Sequence, residues 1–158
     1  RVLDTEGYMP VSGNATVEEV ADEEMAEIQQ EALTSSNSYR RQQVVDYALQ
    51  FVGGRYRYGG SDPHSGVDCS GFTRYVYQHG LGISLNRSSG SQASQGTAIS
   101  ASKMQPGDLL FYGSGKSINH VAMYIGDGKI VHASTEATGI KVSNWNYKNP
   151  VKIVSVLG

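Results

Sequence analysis

The sequence predicts an α+β domain in which helices come first and an antiparallel sheet follows. Two observations support this class. Apolar residues recur at helical spacing within residues 39–79, whereas short strand-like runs separated by turn signals follow residue 108. Helices followed by consecutive strands are typical of α+β domains. The length of 158 residues suits one such domain with an appendage.

The first 36 residues differ from the rest of the chain in charge. Residues 1–36 contain nine acidic residues and one basic residue, whereas residues 37–158 contain six acidic and twelve basic residues. We therefore predict an acidic N-terminal tail or linker at 1–36 and a folded domain at 37–158. A capping-box pattern at Thr16 and a one-sided apolar stripe predict an amphipathic helix over about 16–33. The pattern leaves open whether this helix is an inhibitor, a linker or a docking element.

The elements of the domain follow from periodicity and from turn residues. Three helices are predicted, over about 39–52, 69–79 and 89–95. Residues 34–38, rich in Ser and Asn, are predicted to be a linker in front of the first helix. Five strands are predicted, at 109–112, 120–125, 129–133, 140–144 and 151–156. Gly126-Asp127-Gly128 indicates a tight hairpin between the second and third of these strands.

Composition excludes several classes of protein. Cys69 is the only cysteine, so an internal disulfide and a thiolate-rich structural zinc site are impossible. No segment reaches about eighteen consecutive apolar residues, so no transmembrane helix is predicted. The basic residues are scattered, which argues against a nucleic-acid partner. The start at Arg1 shows no signal peptide and is compatible with a cytoplasmic protein, a processed form or a piece of a longer protein.

Cys69 and two histidines have the arrangement of a cysteine hydrolase. Cys69 begins a predicted helix, where the dipole lowers a thiol pKa and the backbone N–H can bind an oxyanion. His120 would hold an ion pair with Cys69 and later protonate the leaving amine, and His132 would orient His120. Pairing across the hairpin makes the two imidazoles diagonal neighbours on one face, with residue 122 near 132. Spacing alone also permits other roles. Cys69 could be a buried structural residue, and the histidines could be sheet residues whose ring nitrogens are hydrogen-bonded. The three side chains could also bind a metal together.

Six motifs in order resemble the NlpC/P60 family of cell-wall peptidases, from about residue 39 to the C-terminus. The motifs are Gly-Arg-Tyr-Arg-Tyr-Gly-Gly at 54–60, Asp-Cys-Ser-Gly-Phe at 68–72, Arg-Ser-Ser with Gln at 87–92, Pro-Gly-Asp-Leu-Leu-Phe at 106–111, His-Val-Ala-Met-Tyr-Ile-Gly at 120–126 and Ile-Val-His-Ala at 130–133. Tyr58 and Ala122 depart from the family pattern, in which Trp and Gly are more usual.

The resemblance implies a papain-like NlpC/P60 fold, with the nucleophile helix packed on an antiparallel sheet of about five to six strands. It implies that 37–158 is a catalytic domain that hydrolyses peptidoglycan stem peptides through a cysteine thiolate and an acyl-enzyme. Whether these stems belong to the intact cell wall or to free muropeptides stays open. The usual bond joins γ-D-Glu to diaminopimelate or Lys. Cys69, His120 and His132 would be catalytic, without a metal or cofactor. A secreted or wall-associated protein, joined to other modules of a longer wall hydrolase, is expected.

The resemblance also implies a substrate subsite beside the nucleophile. Tyr56, Asp68 and Ser70 would line a site for the free amine of the stem, and Asp68 is also the predicted N-cap of the nucleophile helix. One carboxylate has acceptor sites for both roles. Arg87 would bind a substrate carboxylate or have a structural role. Two other functions stay open, namely an amidase or acyltransferase acting on another amide or lipid, and a non-catalytic wall-binding module.

Overall fold

A computed structural model describes residues 37–157, and the compact unit formed by the predicted domain begins at Tyr39. Helices pack on one face of a six-stranded antiparallel sheet, which confirms the predicted α+β class. The helix predicted at 16–33 lies outside the described residues. Within 37–157, no helix is both long enough and apolar enough to cross a bilayer.

Within residues 37–157, three α-helices and a 3-10 turn precede most of the sheet. They are α1 (37–49), α2 (Cys69–Leu81), α3 (Ser89–Gln92) and the 3-10 turn Ala101–Lys103. Helix α2 begins after its N-cap Asp68, as predicted, and ends at Gly82. Gly82 has a φ of 71°, the left-handed conformation that this type of C-cap requires.

The helix boundaries differ from the predicted ones. Residues 37–38, assigned to a linker, are already helical, since Ser and Asn are tolerated in a helix although they favour caps. Helix α1 ends at residue 49 instead of 52, because the amides of residues 50–52 bond three residues back instead of four. The same tightening at residues 94–95 reduces α3 to a single turn. Helix α2 runs two residues past its predicted end, to the glycine cap.

In the part of the chain that the structure describes, eight strands form two sheets. The strands are β1 (Ser61–Asp62), β2 (Gly66–Val67), β3 (Thr97–Ala98), β4 (Leu109–Ser114), β5 (Ser117–Gly126), β6 (Lys129–Thr135), β7 (Gly139–Asn144) and β8 (Lys152–Ser155). Strands β1 and β2 form a hairpin before α2, and the main sheet has the order β3-β8-β4-β5-β6-β7. All five predicted strands are present. Strands β1, β2 and β3 were not predicted, because two residues are too short to show a period.

The sheet buries apolar side chains on both faces. The larger cluster lies between the sheet and the helices and includes Phe72, Val76 and Tyr77 of α2. A smaller cluster on the other face includes Tyr112 of β4. Directly opposed residues of an antiparallel pair share a face, so His120, the partner of Tyr112, lies on this second face.

A buried ion pair ties α1 to the start of β4. Nη1 of Arg41 lies 2.8 Å from Oδ1 of Asp108, and Nη2 donates to Oγ of Ser155 on β8 at 3.0 Å. The other oxygen of Asp108 accepts a hydrogen bond from the backbone N–H of Gln105 at 2.8 Å. Because both charged side chains are at least nine-tenths buried, this pair holds the first helix and the sheet in one arrangement.

Candidate active site

Cys69 is the first residue of α2, and the local sequence explains which N–H groups its thiol faces. The first four amides of a helix lack intrahelical acceptors. Two of them have other acceptors: the N–H of Gly71 donates to Oδ1 of Asp68 at 2.8 Å, and the N–H of Asp68 donates to the carbonyl oxygen of Gly60 at 3.1 Å. The N–H groups of Cys69 and Ser70 remain, and both lower the pKa of the Cys69 thiol. The helix N-terminus therefore offers two donors for a developing negative charge.

The main sheet opens beside Cys69, between β5 and β6. Strand β5 stays paired with β4 through His120, whereas its pairing with β6 ends where Met123 opposes Val131. Val121 therefore has no ladder partner on β6, and its backbone N–H acts to lower the pKa of the Cys69 thiol. The opening places the thiol next to the residue that follows His120. Among residues 37–157, the structure shows no hydrogen bond between the Cys69 and His120 side chains.

The two histidines that the hairpin register places side by side are hydrogen-bonded in the structure. Nε2 of His120 lies 2.7 Å from Nδ1 of His132. The predicted register holds in the body of the strands and is wrong by one residue at the turn, where Gly126 instead of Ile125 opposes Lys129. A β-bulge absorbs the difference before it reaches the histidines.

His132 is buried, and both of its ring nitrogens have partners. Its relative exposure is 1%, and its Nε2 lies 2.9 Å from Oγ of Ser143 on β7. Ser143 opposes Ile130 in the ladder and is thus a diagonal neighbour of His132 on the same face. Ser143 could not be predicted from the sequence, because the predicted strand at 140–144 carried no signal for its register against β6.

Burial shifts the three titratable groups toward their neutral forms. Burial raises the pKa of the Cys69 thiol, although neighbouring backbone N–H groups act in the other direction. Burial lowers the pKa of His120 to about 4, and the charge of Lys148 acts the same way. Burial lowers the pKa of His132 to about 3. Near neutral pH these directions favour a neutral thiol beside a neutral imidazole, in contrast to the lowered thiol pKa and ion pair expected from the sequence.

The lowered histidine pKa values predict that stability decreases in weakly acidic solution. In an unfolded chain these histidines titrate near 6.5, but in the folded protein His120 and His132 titrate at about 4 and about 3. Between these values the unfolded state binds more protons. The free energy of unfolding should therefore fall as pH decreases from 6.5, by up to about 1.4 kcal/mol per pH unit for each histidine.

Urea unfolding at pH 7.0, 5.5 and 4.5 measures this dependence. The His132→Gln variant is the matched control, because it removes one of the two titrations and should give a shallower slope below pH 6.5. Groups that do not contact His132 titrate equally in both proteins, so the difference between the two slopes reports His132 together with His120, its hydrogen-bond partner. Identical slopes would contradict the burial of a neutral His132 as the cause.

Arg87 lies against the N-terminus of α2 and binds Asp68 in a bidentate pair. Nη1 and Nη2 each lie 3.0 Å from one carboxylate oxygen. Nη1 also donates to Oγ of Ser70 at 3.0 Å, and Nη2 donates to the carbonyl oxygen of Gly60 at 3.1 Å. The carboxylate further accepts the N–H of Gly59 at 3.1 Å. With the N-cap bond, these contacts occupy the acceptor sites of Asp68, so this arrangement favours the structural role of Arg87.

The loop that carries Arg87 is fixed by Gln92, which is fully buried. Its Oε1 accepts from Oγ1 of Thr73 at 2.7 Å, and its Nε2 donates to the carbonyl oxygens of Ser70 at 3.0 Å and Asn86 at 2.8 Å. One side-chain amide therefore links α2, α3 and the residue before Arg87. This explains physically why Arg and Gln occur together in that motif.

Two tyrosines lie close to Cys69. Tyr56, which was predicted, forms an isolated bridge with Val67, and burial followed by the charge of Cys69 raises its pKa. Tyr147, in the loop between β7 and β8, was not predicted. Its ring centroid lies 5.5 Å from that of His132, and burial followed by Cys69 raises its pKa. The loop after β7 thus adds an aromatic ring to the site.

A helix-terminal thiol next to paired histidines on a sheet defines a candidate cysteine-hydrolase site. Spacing alone also permitted a three-ligand metal site. Within 37–157, however, no three His, Cys, Asp or Glu side chains are grouped so that they could hold a metal ion.

A family model described as "NlpC/P60 family" matches residues 53–154. The chain belongs to the NlpC/P60 family.

Relatives of known name support this assignment. The chain is 42% identical over 113 residues to "Protein P54" of Enterococcus faecium, which covers 72% of this chain and 22% of that protein. It is 37% identical over 106 residues to "Murein DD-endopeptidase MepS/Murein LD-carboxypeptidase" of Escherichia coli K12, covering 67% of this chain and 55% of that protein. The chain thus matches about a fifth of one relative and about half of the other.

Solved structures show the same fold. The "NlpC/p60 domain of peptidoglycan hydrolase SagA" aligns with a TM-score of 0.68 and 41% identity, over 73% of this chain and 97% of that one. The "peptidoglycan hydrolase RipB" of Mycobacterium tuberculosis aligns with a TM-score of 0.70 and 27% identity, over 78% of this chain and 68% of that one. The predicted NlpC/P60 fold is confirmed, with helix α2 packed on an antiparallel sheet.

Proposed function

We propose that this chain is a cysteine endopeptidase that hydrolyses peptidoglycan stem peptides through an acyl-enzyme on Cys69. The observation that carries the proposal is the 2.7 Å bond between Nε2 of His120 and Nδ1 of His132, beside the opening that holds the thiol. This bond leaves Nδ1 of His120 for proton transfer with Cys69. Relatives named endopeptidase and peptidoglycan hydrolase support the class of substrate.

Acylation starts from the neutral pair. As the Cys69 sulfur attacks the scissile carbonyl carbon, its proton passes to Nδ1 of His120, so that the thiolate forms only during the attack. The carbonyl oxygen becomes an oxyanion and accepts from the N–H groups of Cys69 and Ser70 at the start of α2. Burial lowers the pKa of His120 to about 4, which keeps this base unprotonated near neutral pH.

The remaining steps use the same groups in reverse. The His120 imidazolium protonates the leaving amine, the C–N bond breaks, and a thioester on Cys69 remains. Water then attacks the thioester carbonyl while Nδ1 of His120 takes a proton from the water. The Cys69 thiol departs with that proton. His132 keeps the His120 ring in one orientation throughout, because it pairs with Nε2 and not with the reacting nitrogen.

We propose the bond between γ-D-Glu and a diamino acid, diaminopimelate or Lys, as the scissile bond. The test is mass spectrometry of defined muropeptides incubated with the wild type and with Cys69→Ala. Cleavage after γ-D-Glu by the wild type alone supports reaction, bond and nucleophile together. The Escherichia coli relative is named for DD-endopeptidase and LD-carboxypeptidase activities, so substrates with those bonds belong in the same experiment. Cleavage only there would overturn the proposed bond.

Tyr56, Asp68 and Ser70 are proposed to line a subsite for the free amine of the stem. Because Arg87 already occupies the Asp68 carboxylate, an incoming ammonium group must share that carboxylate with the guanidinium. We expect Asp68→Asn to reduce the preference for glycan-free over glycan-linked stems by about tenfold, the scale of one charge-assisted hydrogen bond. The measurement is the ratio of kcat/KM for the two stems.

Arg87→Gln is the matched control for this subsite. It breaks the same ion pair but leaves the Asp68 carboxylate in place, so both stems should lose rate equally and the preference should persist. If Asp68→Asn leaves the ratio unchanged, or if the two variants change it alike, Asp68 acts only by holding Arg87.

The proposed substrate places the protein outside the cytoplasm, secreted or associated with the cell wall. We propose further that this domain acts beside other modules of a longer wall hydrolase, since it matches only 22% of the Enterococcus relative. No cofactor is required in the proposed reaction, because the thiol, the imidazole and two backbone amides supply all the groups that it uses.

A further inference from the structure

We propose that Ser143 is a positioning residue of this site: its hydroxyl oxygen accepts a hydrogen bond from Nε2–H of His132 and thereby keeps Nδ1 of His120 free of a proton. The inference rests on the proposed function in one respect, namely that His120 serves as the base for Cys69. It extends the histidine pair to a chain of three side chains across β5, β6 and β7.

The geometry makes the chain continuous. Nε2 of His120 lies 2.7 Å from Nδ1 of His132, and Nε2 of His132 lies 2.9 Å from Oγ of Ser143. His132 is 1% exposed, so a ring nitrogen that lost its partner would bear the desolvation cost without compensation from water. The ladder also fixes the serine, since Ser143 opposes Ile130 and His132 opposes Lys141.

The proton on His132 decides which nitrogen of His120 is basic. A neutral imidazole has one N–H donor and one acceptor nitrogen. If Nε2–H of His132 donates to Ser143, then Nδ1 of His132 accepts from Nε2–H of His120, and Nδ1 of His120 carries a lone pair. If the serine donates instead, every bond reverses, and the proton lies on Nδ1 of His120. Only the first arrangement gives a base next to the thiol.

The serine therefore acts at a distance from the reacting atoms. It touches neither Cys69 nor the scissile bond, and its effect passes through His132 to His120. A residue that only filled space would be replaceable by alanine without a change of tautomer. A measurement of which ring nitrogens of the histidines carry protons therefore distinguishes a positioning role of Ser143 from simple space filling.

The experiment compares Ser143→Ala, Ser143→Thr and the wild type, with Ser114→Ala as control, an exposed serine on β4 of the same sheet. Nitrogen-15 NMR of labelled histidine rings at pH 7 should show Nε2–H on both His120 and His132 in the wild type. We expect Ser143→Ala to lose the Nε2–H state of His132 and to reduce kcat by about tenfold with little change in KM, the scale of one hydrogen bond. Ser143→Thr keeps a hydroxyl and should retain both properties.

Three results would overturn the proposal: Nδ1–H on His132 in the wild type, unchanged tautomers and kcat in Ser143→Ala, or equal losses in Ser143→Ala and Ser143→Thr. The tautomers are measured without substrate, so they decide the role of Ser143 even if muropeptides are not cleaved. The rate of Cys69 alkylation by iodoacetamide is a second measurement that needs no substrate. It should fall in Ser143→Ala but not in Ser143→Thr or Ser114→Ala. Absence of muropeptide cleavage by the wild type would count against the proposed function instead.

Discussion

Replacing Cys69 with alanine should reduce the turnover of stem peptides by about four orders of magnitude or more, the scale for loss of a nucleophile. The reason is that alanine has no nucleophilic group with which to form the acyl-enzyme. The protein should still fold and bind substrate, because the thiol is a small side chain whose loss leaves the N-cap Asp68 in place. Single-turnover assays together with thermal unfolding measure both effects.

The histidine variants set the scale for this result. His120→Ala should lower kcat by about a hundredfold to ten-thousandfold, since it removes the base and acid of both half-reactions. His132→Ala should be milder, because it removes only the orientation of His120. Wild-type rates in Cys69→Ala would exclude the thiol as nucleophile, and a larger loss in His132→Ala than in His120→Ala would reverse the proposed roles.

Removing one partner of the buried ion pair should cause a large loss of stability. Arg41→Leu leaves the Asp108 carboxylate, with a side-chain exposure of 1%, facing an apolar side chain and one backbone N–H. Breaking a buried pair in this way costs about 3–5 kcal/mol. The measurement is the free energy of unfolding from urea titrations at pH 7.

Two further variants separate the ion pair from general effects of mutation. Arg40→Leu, at a half-buried arginine on the same helix, should cost less than about 1 kcal/mol, as substitutions away from buried networks usually do. The double variant Arg41→Leu, Asp108→Leu should recover part of the loss, because it removes the stranded charge. A loss below about 1 kcal/mol in Arg41→Leu, or a double variant less stable than the sum of the singles, would contradict the stranded charge as the cause.

Several parts of the site could be predicted because they depend on short stretches of sequence. The glycines around Asp127 indicate a hairpin, and the register of that hairpin is enough to place His120 beside His132. Asp68 precedes a helical apolar pattern, which identifies the N-cap and therefore the position of Cys69 at the helix start. Such inferences need only the geometry of one helix or of two adjacent strands.

Other parts could not be predicted, because they join segments that are far apart in the chain. Arg87 and Asp68 are 19 residues apart, and no periodicity shows that their side chains meet. Ser143 depends on the register of β7, which follows a turn without a distinctive signal. Tyr147 lies in a loop, where its contact with the ring of His132 depends on the path of the chain between β7 and β8.

Local patterns in the sequence are enough to predict the α+β class, the helix that begins at Cys69 and the pairing of His120 with His132, since helical period, capping and hairpin turns are local properties. The charge states of the site and the contacts that hold its side chains depend on the assembled fold. Burial lowers the histidine pKa values and raises that of the thiol, and the opening between β5 and β6 brings Val121 to the sulfur. Desolvation and packing depend on the whole fold, so they appear only when the segments are assembled.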